Sequence, residues 1–511
     1  MKILFVASEG LPFSKTGGLA DVVEALPKSL VALGHEVTVL LPRYRNTRAV
    51  SVAVPSLTVP LGDGLRFPGI VEGGTLHGVY YYFVDDPEFF DREQLYGIAG
   101  KDYPDNAERF AELSCAAIEF CKRVWMPDVI HCHDWQSALV PVFLRTRYAK
   151  DSAMQEVPVV FTIHNMGYHG AFPPDAMKRI GLPDSLFGID GMEFYGRVNL
   201  LKGALIFSDY LTTVSPKYAE EIQTAQYGHG LEGVIQNRAD RLIGILNGVD
   251  YAVWSPERDK VIASRYSPKD LSGKLACKKN LLEVFGLPPE AENVPLIGIV
   301  SRFVGQKGFD LIEQIATELL SHDLAMVALG AGEPRYEKLL REFARTYPAK
   351  FSVKVAYDNI LAHKIEAGAD IFLMPSRYEP CGLNQIYSLK YGTVPVVRAT
   401  GGLDDTIEAF EPATGRGTGF KFQAYDGDAL LAAIQEALGV YTKEPAVWRR
   451  IQLNGMGQDF SWQVSALEYT KLYEAAWKSR NQKAVTSSNA PRAKSVKMSP
   501  VAPLGKGSHG R

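Results

Sequence analysis

The sequence lacks long apolar runs: no stretch approaches the roughly 18 consecutive apolar residues that a membrane span requires. The opening apolar run, residues 3–7, is also too short for the core of a signal peptide and is typical of a buried first strand. Only five cysteines occur, and their odd number and spacing indicate neither a disulfide framework nor a zinc site. These absences predict a soluble protein of the cytoplasm, or of the lumen of a plastid-like compartment.

An excess of charge of one sign is also missing, since 55 basic and 58 acidic residues give a formal net charge of −3. Without a basic field, neither nucleic acid nor an anionic membrane is expected as the main partner. The last segment, residues 479–511, differs because it holds seven Lys or Arg residues and no acidic residue. Its composition predicts a disordered basic tail, either functionless or in contact with polyanions.

Short apolar runs alternate with helical patterns along most of the chain, which predicts an α/β protein with parallel βαβ units. At 511 residues the chain is too long for one compact core. We therefore expect domains at residues 1–248 and 249–460, joined at a polar stretch, with a final helix at 461–478 that packs back on the first. The predicted strands are 3–7, 37–41, 79–84, 129–131, 159–163, 210–214 and 242–245 in the first domain, and 296–300, 325–329, 351–355, 371–374 and 393–397 in the second.

A glycine-rich loop with Lys15, Gly17 and Gly18 follows the first strand and precedes a helical pattern. Ligands of open α/β sheets bind at the carboxyl ends of strands, and free N–H groups at a helix N-terminus attract an anion. The loop therefore predicts a site for phosphate or a polyhydroxyl ligand. It is not a Walker A loop, because Ser14 precedes the lysine and the glycines follow it. A turn that only reverses the chain is the alternative.

Two cations, Arg302 and Lys307, follow the first strand of the second domain and precede a helix predicted to begin near Phe309. Together they could neutralise a diphosphate. A diphosphate leaving group gains negative charge as its bond to a sugar breaks, so fixed cations stabilise the transition state more than the ground state. Taken alone, the pair would fit a solvated turn.

Two later segments change that interpretation. Glu379 follows the strand at 371–374 in a proline-stiffened segment, where its carboxylate can accept hydrogen bonds from sugar hydroxyls. The turn Thr400, Gly401 and Gly402 precedes a helical pattern and predicts a second anion-binding nest. Each segment alone is typical of a cap or a turn, but at successive strand ends they predict one cleft.

Histidines follow two strands of the first domain. His131 and His133, two apart on a strand, point the same way and could chelate a metal, but no third ligand or zinc-like spacing is found. We therefore expect no metal site and interpret His131 as a packed or hydrogen-bonded strand residue. Asp134 and His164 are predicted to be polar groups at the rim of a sugar site.

Together these segments resemble the bacterial and plastid glycogen and starch synthases of glycosyltransferase family 5, the retaining α-glucan glucosyltransferases that use ADP-glucose. The resemblance covers residues 1–478 and implies a GT-B fold, in which two Rossmann-like domains face each other across a deep cleft. It is carried, in the family's order, by Lys15-Thr16-Gly17-Gly18-Leu19, His133-Asp134-Trp135, His164-Asn165, Asn247-Gly248-Val249-Asp250, Arg302 through Lys307, Glu379-Pro380-Cys381-Gly382-Leu383 and Thr400-Gly401-Gly402-Leu403.

The resemblance also implies the role of each residue. Arg302 and Lys307 would bind the diphosphate, and Lys15 with the glycines Gly17 and Gly18 would reach it from the opposite domain. The remaining roles are Glu379 on the donor hydroxyls, His164 near the transferred glucose, Asp134 on the acceptor side, Tyr357 stacked on the adenine, the backbone of Gly382 and Leu383 on glucose and phosphates, and the Thr400, Gly401 and Gly402 turn in the donor site. One departure is Tyr387, which stands where the wider retaining GT-B pattern has a second glutamate.

The expected reaction is transfer of glucose from ADP-glucose to the non-reducing 4-hydroxyl of an α-1,4-glucan such as glycogen, with no cofactor and no metal. UDP-glucose as donor, another acceptor, and a catalytically silent glucan-binding protein stay open as alternatives, as does the oligomeric state. A dinucleotide oxidoreductase is a further alternative, but Gly330-Ala331-Gly332 is followed by Glu333-Pro334 and does not complete the dinucleotide-binding pattern Gly-x-Gly-x-x-Gly.

Overall fold

The computed structural model describes residues 1–98 and 100–488, and the described chain forms two α/β halves, each built around its own sheet. The strands of the first half are β1 Lys2–Val6, β2 Glu36–Pro42, β3 Ser51–Val54, β4 Val59–Leu61, β5 Gly64–Arg66, β6 Gly69–Leu76, β7 Val79–Asp85, β8 Gly97–Ile98, β9 Lys101–Asp102, β10 Val129–His133, β11 Val159–Ile163, β12 Ala171–Phe172, β13 Glu193–Phe194, β14 Arg197–Asn199, β15 Tyr210–Thr213 and β16 Leu242–Gly244. Its helices are α1 Gly18–Ala32, α2 Pro87–Phe90, α3 Asn106–Arg123, α4 Leu139–Arg145, α5 Ala176–Arg179, α6 Leu200–Phe207, α7 Pro216–Glu221 and α8 Glu232–Gln236.

The second half contains β17 Leu296–Val300, β18 Ala325–Gly330, β19 Phe351–Val355, β20 Ile371–Met374, β21 Val394–Arg398 and β22 Phe420–Phe422. Its helices, with the last helix of the chain, are α9 Ser272–Phe285, α10 Phe309–Leu319, α11 Pro334–Thr346, α12 Asn359–Gly368, α13 Asn384–Lys390, α14 Gly401–Thr406, α15 Gly427–Lys443, α16 Pro445–Met456 and α17 Trp462–Ser488. Every strand predicted from the sequence is present, within one or two residues at either end. The predicted junction near residue 250 falls in the irregular segment between β16 and α9.

The main sheet of the first half runs in the order β16-β15-β11-β10-β1-β2-β7-β6-β3. From β16 to β7 the pairs are parallel, and these strands are largely buried, which explains their apolar sequences. The last two strands at the other end of the sheet, β6 and β3, pair antiparallel and were not predicted. Both are interrupted by a bulge, and β3 is half-buried or exposed throughout, so neither gives a clear apolar pattern.

The sheet of the second half runs in the order β19-β18-β17-β20-β21-β22, with all pairs parallel. In each half the strand order reverses at the first strand. Strand β1 lies between β2 and β10, and β17 lies between β18 and β20. Ligands of open α/β sheets bind in the crevice that opens at such a reversal of strand order. The loops after β1, β10, β17 and β20 therefore mark the two candidate surfaces.

Helix α17 returns from the second half to the first and packs on α1. Its buried side chains Trp462, Tyr469, Leu472 and Tyr473 belong to the same apolar cluster as β1 and β2. The packing follows the prediction, but the helix extends to Ser488, ten residues beyond its predicted end at 478. The predicted disordered tail therefore starts too early, and its remaining residues, 489–511, lie outside the described residues.

The chain crosses between the halves at two neighbouring segments. The N–H of Val249 donates to the carbonyl of Phe460 at 2.8 Å, where the two crossing segments lie side by side. A Cβ atom at Gly248 would lie 2.5 Å from the Cα atom of Trp462, so only glycine allows the two segments to approach this closely. The junction is therefore a paired, two-segment connection.

Candidate active site

The loop after β17 carries the predicted pair of cations. A single turn of 3-10 helix, Gly305–Lys307, places Lys307 at its end, and Gly308 follows with a φ of 79°. A Cβ atom at Gly308 would lie 2.1 Å from the carbonyl oxygen of Pro375, so glycine is needed for the close approach to the loop after β20. This approach brings Lys307 against the segment that contains Glu379.

Lys307 forms a largely buried ion pair with Glu379. Its Nζ lies 2.5 Å from Oε2 of the glutamate, and the two side chains are 17% and 8% exposed. The hydroxyl of Ser376 donates to the same oxygen at 3.0 Å. Among the described residues both contacts use Oε2, so Oε1 can accept a hydrogen bond from a ligand hydroxyl. These three side chains line a cavity of about 230 Å³.

Arg302 lines the same cavity but is exposed to solvent. Its guanidinium contacts Oε1 of Gln306 at 3.4 Å, which is a long hydrogen bond. The carbonyl of Gln306 accepts the N–H of Arg377 at 2.8 Å, which ties this loop to the segment before Glu379. The guanidinium of Arg302 therefore has one long hydrogen bond and lies at the edge of the cavity, where an anion can reach it.

The predicted backbone contacts Gly382 and Leu383 lie beside this cavity. Gly382 has a φ of 70° and lines the cavity, and Leu383 is the residue that precedes α13. The amide of Asn384 donates to the carbonyl of Val300 at 2.7 Å, which fixes the start of α13 against the end of β17. The loop after β20 is therefore held next to the loop that carries the cations.

The turn at Thr400 receives a carboxylate from the first half of the chain. The hydroxyl of Thr400 donates to Oε1 of Glu221 at 2.8 Å, and the N–H of Gly401 donates to the same oxygen at 3.1 Å. The N–H of Gly402 donates to the carbonyl of Glu379 at 3.1 Å. In this conformation the predicted anion-binding nest thus holds a carboxylate of the chain itself. A donor-binding role for Thr400, Gly401 and Gly402 stays a prediction.

Another buried carboxylate, Glu9, fills the glycine-rich loop after β1. It accepts the N–H and the hydroxyl of Thr16, each at 2.6 Å, and the N–H of Gly17 at 3.1 Å. Burial raises the pKa of Glu9, and these hydrogen bonds oppose that rise. The sequence predicts an unshielded N–H at Gly17, but in the structure this N–H donates to Glu9. Gly18, the first residue of α1, faces open space, since an added Cβ would meet no atom within 4 Å.

Lys15 pairs with Asp21, with 2.6 Å between Nζ and Oδ1, and both side chains are about one third exposed, at 34% and 36%. A surface pair of this kind contributes about 0–1 kcal/mol. The ammonium group can therefore turn toward an anion in the cleft at little cost.

Asp134 connects the ends of β10 and β11. Its Oδ1 accepts the N–H of His164 at 2.8 Å. Its own backbone has a φ of 54° and a ψ of −179°, a strained region for any residue other than glycine, at a cost of about 1–3 kcal/mol. Burial raises the pKa of Asp134 to about 7, and the nearby charge of Glu9 adds to the rise. Strain and a shifted pKa at one residue are typical of a functional site.

The side chain of His164 contacts another histidine. Its Nε2 lies 3.0 Å from Nδ1 of His133. Burial lowers the pKa of His164 to about 3 and that of His133 well below its usual range, so both rings are neutral at pH 7. His131 is the buried, hydrogen-bonded strand residue that the sequence predicts, with contacts to Thr162 at 2.6 Å and to the hydroxyl of Tyr473 at 2.7 Å.

The two halves meet near Tyr378, the residue before Glu379. A Cβ atom at Gly167, three residues after His164, would lie 3.8 Å from the hydroxyl of Tyr378. Burial raises the pKa of Tyr378, and the charge of Arg302 partly opposes the rise. The segments that contain His164 and Glu379 therefore face each other across one cleft.

Tyr357 and Tyr387 have contrasting surroundings. Tyr357 follows β19, at the carboxyl edge of the second sheet, and is 86% exposed, so its ring is accessible for the predicted stacking on a base. Tyr387 instead stacks on Trp254, with ring centroids 3.9 Å apart and an interplanar angle of 6°. The position of the second glutamate in the wider pattern is thus taken by an aromatic ring that packs against the segment between the two halves.

Within residues 1–98 and 100–488, no group of three or more His, Cys, Asp or Glu side chains is arranged to hold a metal ion. None of the helices in the same part of the chain has the length and apolar character needed to cross a bilayer. All five cysteines are buried and free.

Comparison with known proteins gives closely similar relatives. The chain is 57% identical over 478 residues to the glycogen synthase of Koribacter versatilis, covering 93% of this chain and 98% of that protein. It is 47% identical over 481 residues to the glycogen synthase of Anaeromyxobacter sp., covering 93% and 99%. The structure matches the catalytic domain of starch synthase IV from Arabidopsis thaliana, bound to ADP and acarbose, with a TM-score of 0.83, 34% identity and coverage of 93% and 99%.

The two halves also match separate family models. Residues 2–237 match the starch synthase catalytic domain, and residues 285–449 match the glycosyl transferases group 1. With the cleft between two Rossmann-like halves, these matches define a glycosyltransferase of the GT-B fold. The chain belongs to the family of glycogen and starch synthases, which elongate a glucan by glucosyl transfer.

Proposed function

We propose that this protein transfers glucose from ADP-glucose to the non-reducing 4-hydroxyl of an α-1,4-glucan such as glycogen, with retention of the anomeric configuration. The observation that carries the proposal is the convergence of Arg302, Lys307 and Glu379 on one cavity at the strand-order reversal of the second sheet. The related starch synthase IV structure is described as bound to ADP and acarbose, which supports an adenine nucleotide as the donor's leaving group and a glucan as the acceptor.

The proposed transfer takes place on one face of the sugar. The bond from the anomeric carbon to the diphosphate oxygen breaks, and an oxocarbenium-like state forms. The 4-hydroxyl oxygen of the acceptor then bonds to the anomeric carbon on the same face, and its proton moves to the departing phosphate oxygen. A double displacement would instead need a carboxylate beneath the anomeric carbon. The position of the second glutamate in the wider pattern is Tyr387, which packs on Trp254.

Fixed positive charge supplies the main stabilisation of this transition state. Arg302, weakly held and exposed, and Lys307, buried beside the cavity, neutralise the diphosphate as it leaves. Glu379 keeps Lys307 in place through Oε2, and its Oε1 accepts a hydrogen bond from a donor hydroxyl. The backbone of Gly382 and Leu383 completes the wall on the donor side.

The first half supplies the opposite wall. Lys15 and Gly18 approach the diphosphate, with Gly17 supporting their loop, and His164 lies near the transferred glucose. Asp134 lines the acceptor side. Tyr357, which belongs to the second half, stacks on the adenine. The proposed reaction uses no metal or cofactor, because the cationic side chains neutralise the leaving diphosphate as a divalent ion does in other transferases. The free state of all five cysteines supports a reducing compartment, the cytoplasm.

The direct test measures incorporation of labelled glucose into glycogen, with ADP-glucose and UDP-glucose compared side by side. We expect faster incorporation from ADP-glucose, product chains that α-specific amylases digest completely, and an unchanged rate in excess EDTA. Preference for UDP-glucose would contradict the donor, glycogen binding without incorporation would indicate a silent binding protein, and loss of activity in EDTA would contradict the metal-free mechanism.

A further inference from the structure

The side chains of His133 and His164 are in contact, and the direction of the hydrogen bond between them determines the tautomer of His164. His133 is fully buried and His164 is half-buried, and burial lowers both pKa values, so both rings are neutral at pH 7 and each carries one N–H group. Nδ1 of His133 and Nε2 of His164 lie 3.0 Å apart, and one must donate to the other. The direction of this hydrogen bond fixes which nitrogen of His164 carries its proton.

The second nitrogen of His133 decides the direction. Nε2 of His133 is buried and has no hydrogen-bond partner among the described residues. If His133 accepted at Nδ1, its proton would sit on Nε2 as a buried donor without an acceptor. If it donates from Nδ1, Nε2 carries only a lone pair. Orphaned buried N–H groups are rarer in proteins than unpaired acceptors, so the second arrangement is favoured.

The backbone of His133 is held by hydrogen bonds, and its ring is held by stacking. Its backbone N–H donates to Oγ of Ser137 at 2.6 Å, and the same hydroxyl donates back to the carbonyl of His133 at 2.8 Å. Phe5 stacks on the ring with a centroid distance of 5.3 Å and an interplanar angle of 20°. The donor that faces His164 therefore has little freedom to turn away.

We infer that His133 is a positioning residue that donates from Nδ1 to Nε2 of His164 and thereby keeps the proton of His164 on Nδ1. His164 then presents a hydrogen-bond donor, and not an acceptor, to a hydroxyl of the transferred sugar. The donation from His164 to a sugar hydroxyl rests on the proposed function, whereas the tautomer of His164 is a property of the protein alone. His164 Nδ1 makes no hydrogen bond within the part of the chain that the structure describes, so it is available to a ligand.

The tautomer is tested on the unaltered protein. With 15N-labelled histidine, a long-range 15N–1H correlation spectrum distinguishes a protonated Nδ1 from a protonated Nε2 by chemical shift. We expect the His164 signals, assigned by loss in a His164→Gln variant, to show a protonated Nδ1 at pH 7 without any ligand. A protonated Nε2 would overturn the inference, whether or not the protein transfers glucose.

The consequence for the substrate is tested with donor analogues. Asparagine can place an amide N–H near the position of Nδ1 and leucine cannot, so His133→Asn and His133→Leu form a matched pair. We expect His133→Leu to lower kcat/KM by about three- to tenfold and His133→Asn to recover most of the loss. Equal losses in the two folded variants would contradict a donor role for His133.

Deoxy analogues of ADP-glucose identify the hydroxyl that His164 contacts. In the wild type, removing that hydroxyl should cost about three- to tenfold in kcat/KM. In His133→Leu the same analogue should cost nothing further, because the losses of two partners of one interaction are not additive. In a His131→Asn control, whose ring contacts Thr162 and Tyr473, the full penalty for the deoxy analogue should remain. Additive losses would overturn the inference, whereas a wild type without glucosyl transfer would contradict the proposed function.

Discussion

Arg302 and Lys307 have the same formal charge but different surroundings, and substitution should separate their roles. Arg302 is exposed and contacts Gln306 at 3.4 Å, so Arg302→Ala should leave the thermal unfolding midpoint within one degree of wild type. Loss of one group that stabilises developing charge should lower kcat about 10²- to 10³-fold. Steady-state kinetics with ADP-glucose and differential scanning fluorimetry measure both quantities. Turnover near the wild-type rate would contradict the assignment of Arg302.

Lys307→Ala should impair both activity and stability. The change leaves Glu379 buried without its partner, and breaking a buried pair costs about 3–5 kcal/mol. The loss of kcat should be as large as for Arg302→Ala. Adding Glu379→Gln removes the unpaired charge and should recover most of the stability but none of the activity. Urea unfolding of the single and double variants measures the difference, and a double variant no more stable than the single one would contradict the ion-pair argument.

Asp134 predicts a specific dependence of stability on pH. Its folded pKa of about 7 lies above the ordinary value of about 3.9, so its contribution to stability is fully present below about pH 4 and is lost as the pH rises to about 7. Asp134→Asn cannot ionise there. The free energy of unfolding of the variant, measured with urea, should therefore rise relative to that of wild type between pH 4 and 7, by at most about 1.4 kcal/mol per pH unit, and level off above. Parallel curves across this range would contradict the raised pKa.

The sequence indicates the site residues that have a local pattern and misses those that act from a distance. Arg302, Lys307 and Glu379 follow predicted strands directly, so the sheet topology alone brings them to one edge. Glu9 and Glu221 were missed because each satisfies N–H groups in a turn 8 or 180 residues away, and no spacing signals such a partner. Both carboxylates accept hydrogen bonds from N–H groups at which the sequence predicts a bound anion.

At the scale of elements, the central parallel strands were easier to predict than the antiparallel strands at one end of the first sheet and the end of the last helix. Central parallel strands are buried on both faces and read as continuous apolar runs. The antiparallel strands β3 and β6 at one end of the first sheet are partly exposed and bulged, so their sequence pattern is weak. The end of α17 was missed for a related reason: beyond Trp477 the sequence has no apolar periodicity to mark a helix.

Helix α17 offers a matched test of its packing. Leu472 is 2% exposed in the apolar cluster it shares with β1 and β2, whereas Leu467 on the same helix is 49% exposed. Leu472→Ala should lower the free energy of unfolding of the first half by about 2–5 kcal/mol. Leu467→Ala should change it by less than about 0.5 kcal/mol. Hydrogen exchange of the β1 and β2 amides measures both, and equal protection in the two variants would contradict the packing role of α17.

At the scale of the whole molecule, the proposed site is divided between two halves joined by paired segments. Lys15 and Gly18 lie on one side, and Arg302, Lys307 and Glu379 lie on the other. Glu221 bridges the two at Thr400 and Gly401, and the backbone N–H of Lys217 donates to Asp405 at 2.8 Å. These hydrogen bonds tie the two halves together in addition to the paired connection near Val249.

Lys15→Ala tests the contribution from across the cleft. Its pair with Asp21 is a surface pair and contributes little to folding, so the unfolding midpoint should not change. The loss of a charged contact to the diphosphate should raise KM for ADP-glucose about tenfold or more, with a smaller effect on the KM for glycogen. Steady-state kinetics with each substrate varied in turn measures the split. An unchanged donor KM and kcat would show that the loop only reverses the chain.

The return of α17 to the first half has a consequence for synthesis on the ribosome. The face of β1, β2 and α1 that Trp462, Tyr469, Leu472 and Tyr473 cover is translated more than four hundred residues before them. The first half therefore emerges with an apolar face that its own residues leave open, and it waits for nearly the whole chain before that face is sealed. During that interval the nascent chain is a natural client for chaperones that bind exposed apolar surface, and a premature stop anywhere in the second half would release a protein whose first half is also incomplete.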